Sequence, residues 1–73
     1  MKNPIFYAKR LPSGFYAIYV NGGDTWLDAS RNSISAIRDF CDKVTKTYAP
    51  KTSKIYSYTL TFNETEYNAL VGR

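Results

Sequence analysis

Between Ala29 and Ile34 the apolar residues of this chain change their period, and that change constrains the fold more than any other feature. From Ile34 onward, Ile34, Ile37, Phe40, Cys41, Val44 and Tyr48 recur at spacings of three and four, which places them on one stripe of an α-helix. Phe40 is the largest core ring expected on that helix, so its truncation is expected to unfold the chain. Ser30, Asn32 and Ser33 each carry a side-chain oxygen able to accept from an early helical N–H, with Asn32 or Ser33 the expected cap. Pro50 cannot continue a helix and biases Ala49 away from helical backbone, so the element ends near Tyr48.

Before the switch the pattern is that of strands. Ile5–Arg10 is a short run of β-branched and aromatic residues that stops at Leu11-Pro12-Ser13-Gly14, where Pro presets φ and Gly supplies a positive one. Phe15–Val20 resumes with high β-propensity and ends at Asn21-Gly22-Gly23-Asp24, a strong hairpin signal. Thr25–Ala29 reads as a third strand, completing an antiparallel meander. After the helix, Lys54–Phe62 alternates, with Tyr56, Tyr58, Leu60 and Phe62 on one face and Ser57, Thr59 and Thr61 on the other. Asn63 then stands three residues before Glu66, as in a capping box. A closing helix follows, with Tyr67, Leu70 and Val71 inward and Gly72 as its left-handed C-cap.

The expected fold is thus a single α+β domain over residues 1–73: a three-stranded antiparallel meander, an amphipathic helix, a fourth strand and a short C-terminal helix, β-β-β-α-β-α. One sheet covered by a helix is the simplest packing, and the fourth strand is free to join either edge. At 73 residues a single core only just offsets the entropy of ordering the chain. The seven Tyr, four Phe and one Trp must therefore supply most of that core.

The chemistry available is narrow. There is no histidine, so the usual Ser-His and Cys-His pairs cannot form. Cys41, the single cysteine, lies inside the helical stripe, where an inert core thiol is expected. Asp39 and Asp42 stand four residues before Lys43 and Lys46, the order that gives weak ion pairs on a solvated helix face. Asp24 suits a turn, and Glu64 and Glu66 suit a helix N-terminus. Gly22-Gly23 joins strands and opens no phosphate-cradling loop. The chain is expected to be no enzyme and to need no metal or cofactor. With no leader, no membrane span and no disulfide, a monomer in a reducing cytoplasm is expected.

Ten Lys and Arg against six Asp and Glu leave a charge of +4, which favours polyanions or acidic protein surfaces as partners. Two basic groups stand beside aromatics. Lys2, Lys9 and Arg10 are flanked by Phe6, Tyr7, Phe15 and Tyr16, and Lys51 and Lys54 adjoin Tyr56 and Tyr58. Cations among rings grip phosphates and stack bases, or anchor a protein interface. Tyr7, Lys9, Arg10, Tyr16, Lys51 and Lys54 are accordingly the expected partner-binding residues.

In length, basic balance and element order the whole chain resembles the small regulators by which lytic bacteriophages bind and redirect host RNA polymerase. That resemblance implies docking on the bacterial polymerase, inhibition of transcription initiation and antitermination. The rival class is a small nucleic-acid-binding domain, since a meander over Ile5–Ala29 followed by a helix is similar to the arm-binding domain of phage-type integrases, whose sheet enters the major groove.

Overall fold

The structure is a computed structural model that describes residues 3–48 and 57–73. Six elements follow one another: β1 (Ile5–Arg10), β2 (Tyr16–Val20), β3 (Asp28–Arg31), α1 (Ile34–Tyr48), β4 (Thr59–Thr61) and α2 (Glu64–Leu70). This is the α+β order expected. Lys2, Lys51, Lys54 and Tyr56, with the start of the expected fourth strand, lie outside the described residues.

The strands form one mixed sheet in the order β3-β2-β1-β4. β1–β2 and β2–β3 are antiparallel, and β4 joins the β1 edge in parallel. β3 and β4 therefore run the same way with two strands between them, so their connection must cross a face of the sheet, and α1 is the crossing element.

Both turns form for the reasons their residues suggest. Gly14 adopts φ +92°, its N–H donating to the Leu11 carbonyl at 2.9 Å, while Leu11 N–H donates to Phe15 at 2.8 Å. Asn21 and Gly22 take φ +51° and +83°, and Gly23 N–H donates to Val20 at 3.0 Å. Positive φ at both central positions is the type I′ geometry that matches strand twist.

The third strand begins later than its expected span, Thr25–Ala29. Leu27 N–H still donates to the Ile18 carbonyl at 2.7 Å, but Trp26 and Leu27 are each 50% exposed and regular pairing starts at Asp28. The Asp28 carboxylate accepts from Ser30 N–H at 3.1 Å, and a bulge separates the pairs Ile18–Asp28 and Tyr16–Arg31. Thr25-Trp26-Leu27 thus stay out of the strand despite their high β-propensity, with their side chains exposed.

Ser33 is the cap of α1, its hydroxyl accepting from Ala36 N–H at 3.2 Å. The buried line on this helix differs from the apolar stripe. Ile37 and Cys41 are fully buried and Thr45 nearly so, whereas Phe40 and Val44 are half-buried and Ile34 is 54% exposed. Thr45 escapes a pattern built on apolar residues alone, because its hydroxyl satisfies itself on the Cys41 carbonyl at 2.7 Å. Phe40 is correspondingly displaced to the rim, with the Arg31 guanidinium 5.3 Å from its ring centroid.

The principal core is Phe6, Ala8, Ile18, Ile37 and Cys41, with Tyr58 and Leu60 packed against it. Alternation along β1 puts Tyr7 on the other face, and there it stacks on Tyr67 of α2. The two helices thus cover opposite faces, where a single covered face was the simplest expectation. At α2 both caps form, but only half of the expected capping box does, because Asn63 N–H donates to Thr61 Oγ1 at 3.1 Å and not to Glu66. Asn63 accepts from Glu66 N–H at 3.0 Å, and Gly72, at φ +86°, closes the end with Gly72→Ala69 and Arg73→Asn68 backbone bonds of 3.3 and 2.8 Å. Of the inward trio, Tyr67 is buried and Val71 half-buried, but Leu70 is 46% exposed. Seven residues hold such a helix only marginally. Asn63→Ala is therefore expected to cost about 1 kcal/mol, read as a lowered urea midpoint with an unchanged slope. A midpoint equal to wild type would show that the Tyr67 stack alone seats the helix.

Candidate functional site

The pairing of β1 with β2 decides which residues of the first hairpin share a face. Lys9 pairs with Ala17 and Arg10 with Tyr16, so the two neighbouring cations emerge on opposite sides of the sheet. Tyr7 and Lys9 lie on the side of α2, Arg10 and Tyr16 on the side of α1. The grouping expected from sequence is divided into two half-groups, and Lys51 and Lys54 lie outside the described residues.

On the α1 side, Tyr16 is half-buried and meets the half-exposed Phe62 edge-on, centroids 5.9 Å apart. Arg10, exposed, is its cross-strand neighbour. Farther along α1, Lys46 pairs with Asp42 at 3.0 Å on a solvated surface, the weak kind of ion pair expected there.

The α2 side is the more organised. Tyr19, Tyr7 and Tyr67 form a row of nearly parallel rings, with centroid separations of 5.7 and 5.1 Å and interplanar angles of 21° and 27°. Trp26 adds an edge-on contact to Tyr19 at 6.4 Å while remaining half exposed. The Tyr67 hydroxyl accepts from Gly22 N–H at 2.6 Å. Arg73 donates to the Gly22 carbonyl and reaches Asp24 at 3.3 Å, so the C-terminal end of α2 is fastened to the β2–β3 turn. Gly22 is the position that favours glycine, since its φ of +83° lies in the left-handed region that side chains disfavour.

Between α2 and the sheet lies a cleft of about 200 Å³. Tyr7, Lys9 and Tyr19 line it from the sheet, Glu64, Tyr67 and Asn68 from α2, and Asp24 and Arg73 from the fastening. Burial, then the Glu64 charge and then Tyr19, raise the Tyr7 pKa, so its phenol stays protonated and able to donate. Among the described residues, neither Lys9 nor Glu64 has an ion-pair partner within 4.0 Å.

Tyr19, Trp26, Glu64, Tyr67 and Arg73 were not among the partner-binding residues expected from sequence, although Tyr67 was expected on the inner face of its helix. Tyr19 was within reach: a hairpin closed at Leu11–Phe15 pairs Arg10 with Tyr16, and the same register sets Tyr7 opposite Tyr19. Arg73 and Tyr67 depend on where a short helix docks, which no local pattern encodes. Compared with protein-family models, with curated proteins and with solved structures, the chain matches none of them.

Proposed function

We propose that this chain is a non-enzymatic regulator that acts by docking on another protein, and that bacterial RNA polymerase is that protein. The observation that carries the choice of a protein over duplex DNA is the position of α2. A three-stranded module that reads a major groove must present the sheet face opposite its helix, and here that face bears α2, the Tyr7–Tyr67 stack and the carboxylates of Asp24 and Glu64. A half-exposed Trp26 beside Tyr19, with Lys9 close by on the same face, is instead the mixture of aromatic anchor and cation that protein interfaces concentrate. Docking of this kind inhibits initiation by blocking promoter engagement, and its persistence on the elongating enzyme would make it an antiterminator.

The test is a titration of wild type, Lys9→Glu and Arg10→Glu against purified bacterial RNA polymerase and against duplex DNA at two salt concentrations. Because the cations face opposite ways, the variants should separate. Lys9→Glu is expected to weaken polymerase binding about tenfold to a hundredfold, the worth of a charge-assisted hydrogen bond in a partly dry interface. Arg10→Glu should change it little. Binding to DNA with a log–log salt slope near −0.9 per phosphate, and none to polymerase, would transfer the assignment to nucleic acid. Absence of binding to either ligand would remove both.

A further inference from the structure

We infer that Asn21 is a site of spontaneous covalent modification, in which its carboxamide becomes a carboxylate, and that the docking of α2 on the β2–β3 turn sets how fast this happens. The sequence singles out the position. Of the five asparagines, Asn3, Asn32, Asn63 and Asn68 precede Pro, Ser, Glu and Ala, and Asn21 alone precedes Gly. The main-chain nitrogen after an asparagine can close a ring on the side-chain carbonyl carbon, and glycine, lacking Cβ, leaves that approach open and the backbone able to turn into it.

The chemistry needs water and nothing else. The Gly22 nitrogen gives its proton to water and bonds to Asn21 Cγ, while the Asn21 amide nitrogen takes up a proton and leaves as ammonia, so that a cyclic imide joins the two residues. Water then adds to one imide carbonyl and opens the ring. Attack at Cγ restores the ordinary main chain with an aspartate. Attack at the Asn21 main-chain carbonyl leaves the chain running through the side chain, as isoaspartate.

The fold holds both reacting groups. Asn21 Oδ1 accepts from Ile5 N–H at 3.0 Å and Asn21 N–H donates to the Ile5 carbonyl at 2.9 Å, so the carboxamide is tied across to β1. Gly22 N–H, whose proton the reaction must remove, donates to the Tyr67 hydroxyl at 2.6 Å. The nitrogen cannot lose that proton and turn toward Cγ without breaking the bond. Tyr67 is buried against Tyr7, and Arg73 holds the Gly22 carbonyl from the same end of the chain, so the nitrogen is released when α2 lifts. A seven-residue helix opens more readily than the sheet beneath it. Asn21 itself is exposed, with water at hand. The isoaspartyl product lengthens the main chain inside the turn and displaces the Gly22 N–H and carbonyl, the two groups that Tyr67 and Arg73 grasp. Modification thus undoes the fastening that restrained it, whatever partner the chain has.

The test incubates the full chain at pH 8 and follows the mass of the peptide containing Asn21, with the aspartyl and isoaspartyl forms separated by chromatography. In urea, Asn21 should be modified faster than any other asparagine. In the native chain its modification should be about tenfold slower or more, and slowed by the same factor as hydrogen exchange at the Gly22 amide, because both require one local opening. Tyr67→Phe keeps the ring and removes the hydroxyl, so it should raise the native rate about two- to tenfold, the worth of one hydrogen bond. Tyr7→Phe, in the same stack but not bonded to Gly22, should leave the rate unchanged. In the purified isoaspartyl product the α2 amides should exchange faster than before, while those of α1 keep their protection.

Native modification as fast as in urea, modification faster than Gly22 exchange permits, equal rates in Tyr67→Phe and wild type, or equal acceleration by Tyr7→Phe would each overturn the inference. Comparing the native chain with its own Gly22 exchange needs no substitution, so it decides even where Tyr67→Phe does not fold. An isoaspartyl product with α2 amides as protected as in the unmodified chain would overturn the release of α2.

Discussion

Phe6→Ala is expected to leave the chain largely unfolded at room temperature, whereas Phe40→Ala should fold with a lowered midpoint. Phe6 is completely buried in the cluster with Ile18, Ile37 and Cys41, and the Tyr58 ring meets it edge-on at 5.7 Å and 83°. Removing such a ring costs roughly 3–5 kcal/mol once the cavity is counted. Small domains sit at the low end of the 5–15 kcal/mol range of total stability, so the loss takes most of what is available. Phe40 is half-buried and covered on one face by Arg31, so only part of its area leaves water on folding. Its truncation should cost about 1–2 kcal/mol. Urea titrations followed by far-ultraviolet circular dichroism rank the two directly. A Phe40 variant less stable than the Phe6 variant would mean that α1 is rotated about its axis from the packing described above.

The contrast between those two rings shows how far periodicity carries. A spacing of three and four located α1, and capping chemistry located both helix starts, because these signals act within one turn of chain. The phase of α1 was not local. It depends on Thr45 being able to enter the core by bonding to the Cys41 carbonyl, and an apolar count cannot register a polar residue that satisfies itself. Likewise the turn at Asn21-Gly22 was legible from residue types, while the late start of β3 ran against the β-propensity of Thr25-Trp26-Leu27. The edge taken by β4 had no sequence signal, since short alternating strands pair through backbone groups that every residue possesses.

Legibility of the site followed the same division. Tyr7 and Lys9 stand together on one face, as residues two apart on a strand must, and Arg10 and Tyr16 stand together on the other by cross-strand pairing. Treating all four as one patch ignored the period of two. The cleft itself is a tertiary product, because Tyr67 and Arg73 reach it only through the docking of α2 onto the Gly22 turn. The sequence contained the cation but not the groups that surround it.

Cys41 is expected to be inert in the folded chain and to set its alkaline limit. Its thiol is fully buried, and burial raises its pKa from an ordinary value of 9.0 to about 12. Three units lower the thiolate fraction near neutral pH about a thousandfold, so reaction with a disulfide reagent at pH 8 should be slower than in denaturant by at least that factor. The same displacement ties stability to pH. Below about pH 9 the thiol is protonated in both the folded and unfolded chains and contributes no slope. Above it the unfolded chain releases the proton that the folded chain still holds, so stability falls with rising pH, by about 1.4 kcal/mol per unit, until the folded value is reached. Tyr58 and Tyr7, both raised chiefly by burial, act in the same direction beginning about a unit higher, where phenols ordinarily titrate. Cys41→Ala separates the contributions: its stability should be lower at pH 7 but nearly flat between pH 8.5 and 10, where wild type declines. Urea midpoints across that interval give the comparison. Equal slopes in the two proteins, or rapid stoichiometric labelling of the native chain at pH 8, would place the thiol in contact with water and return it to consideration as a reactive group.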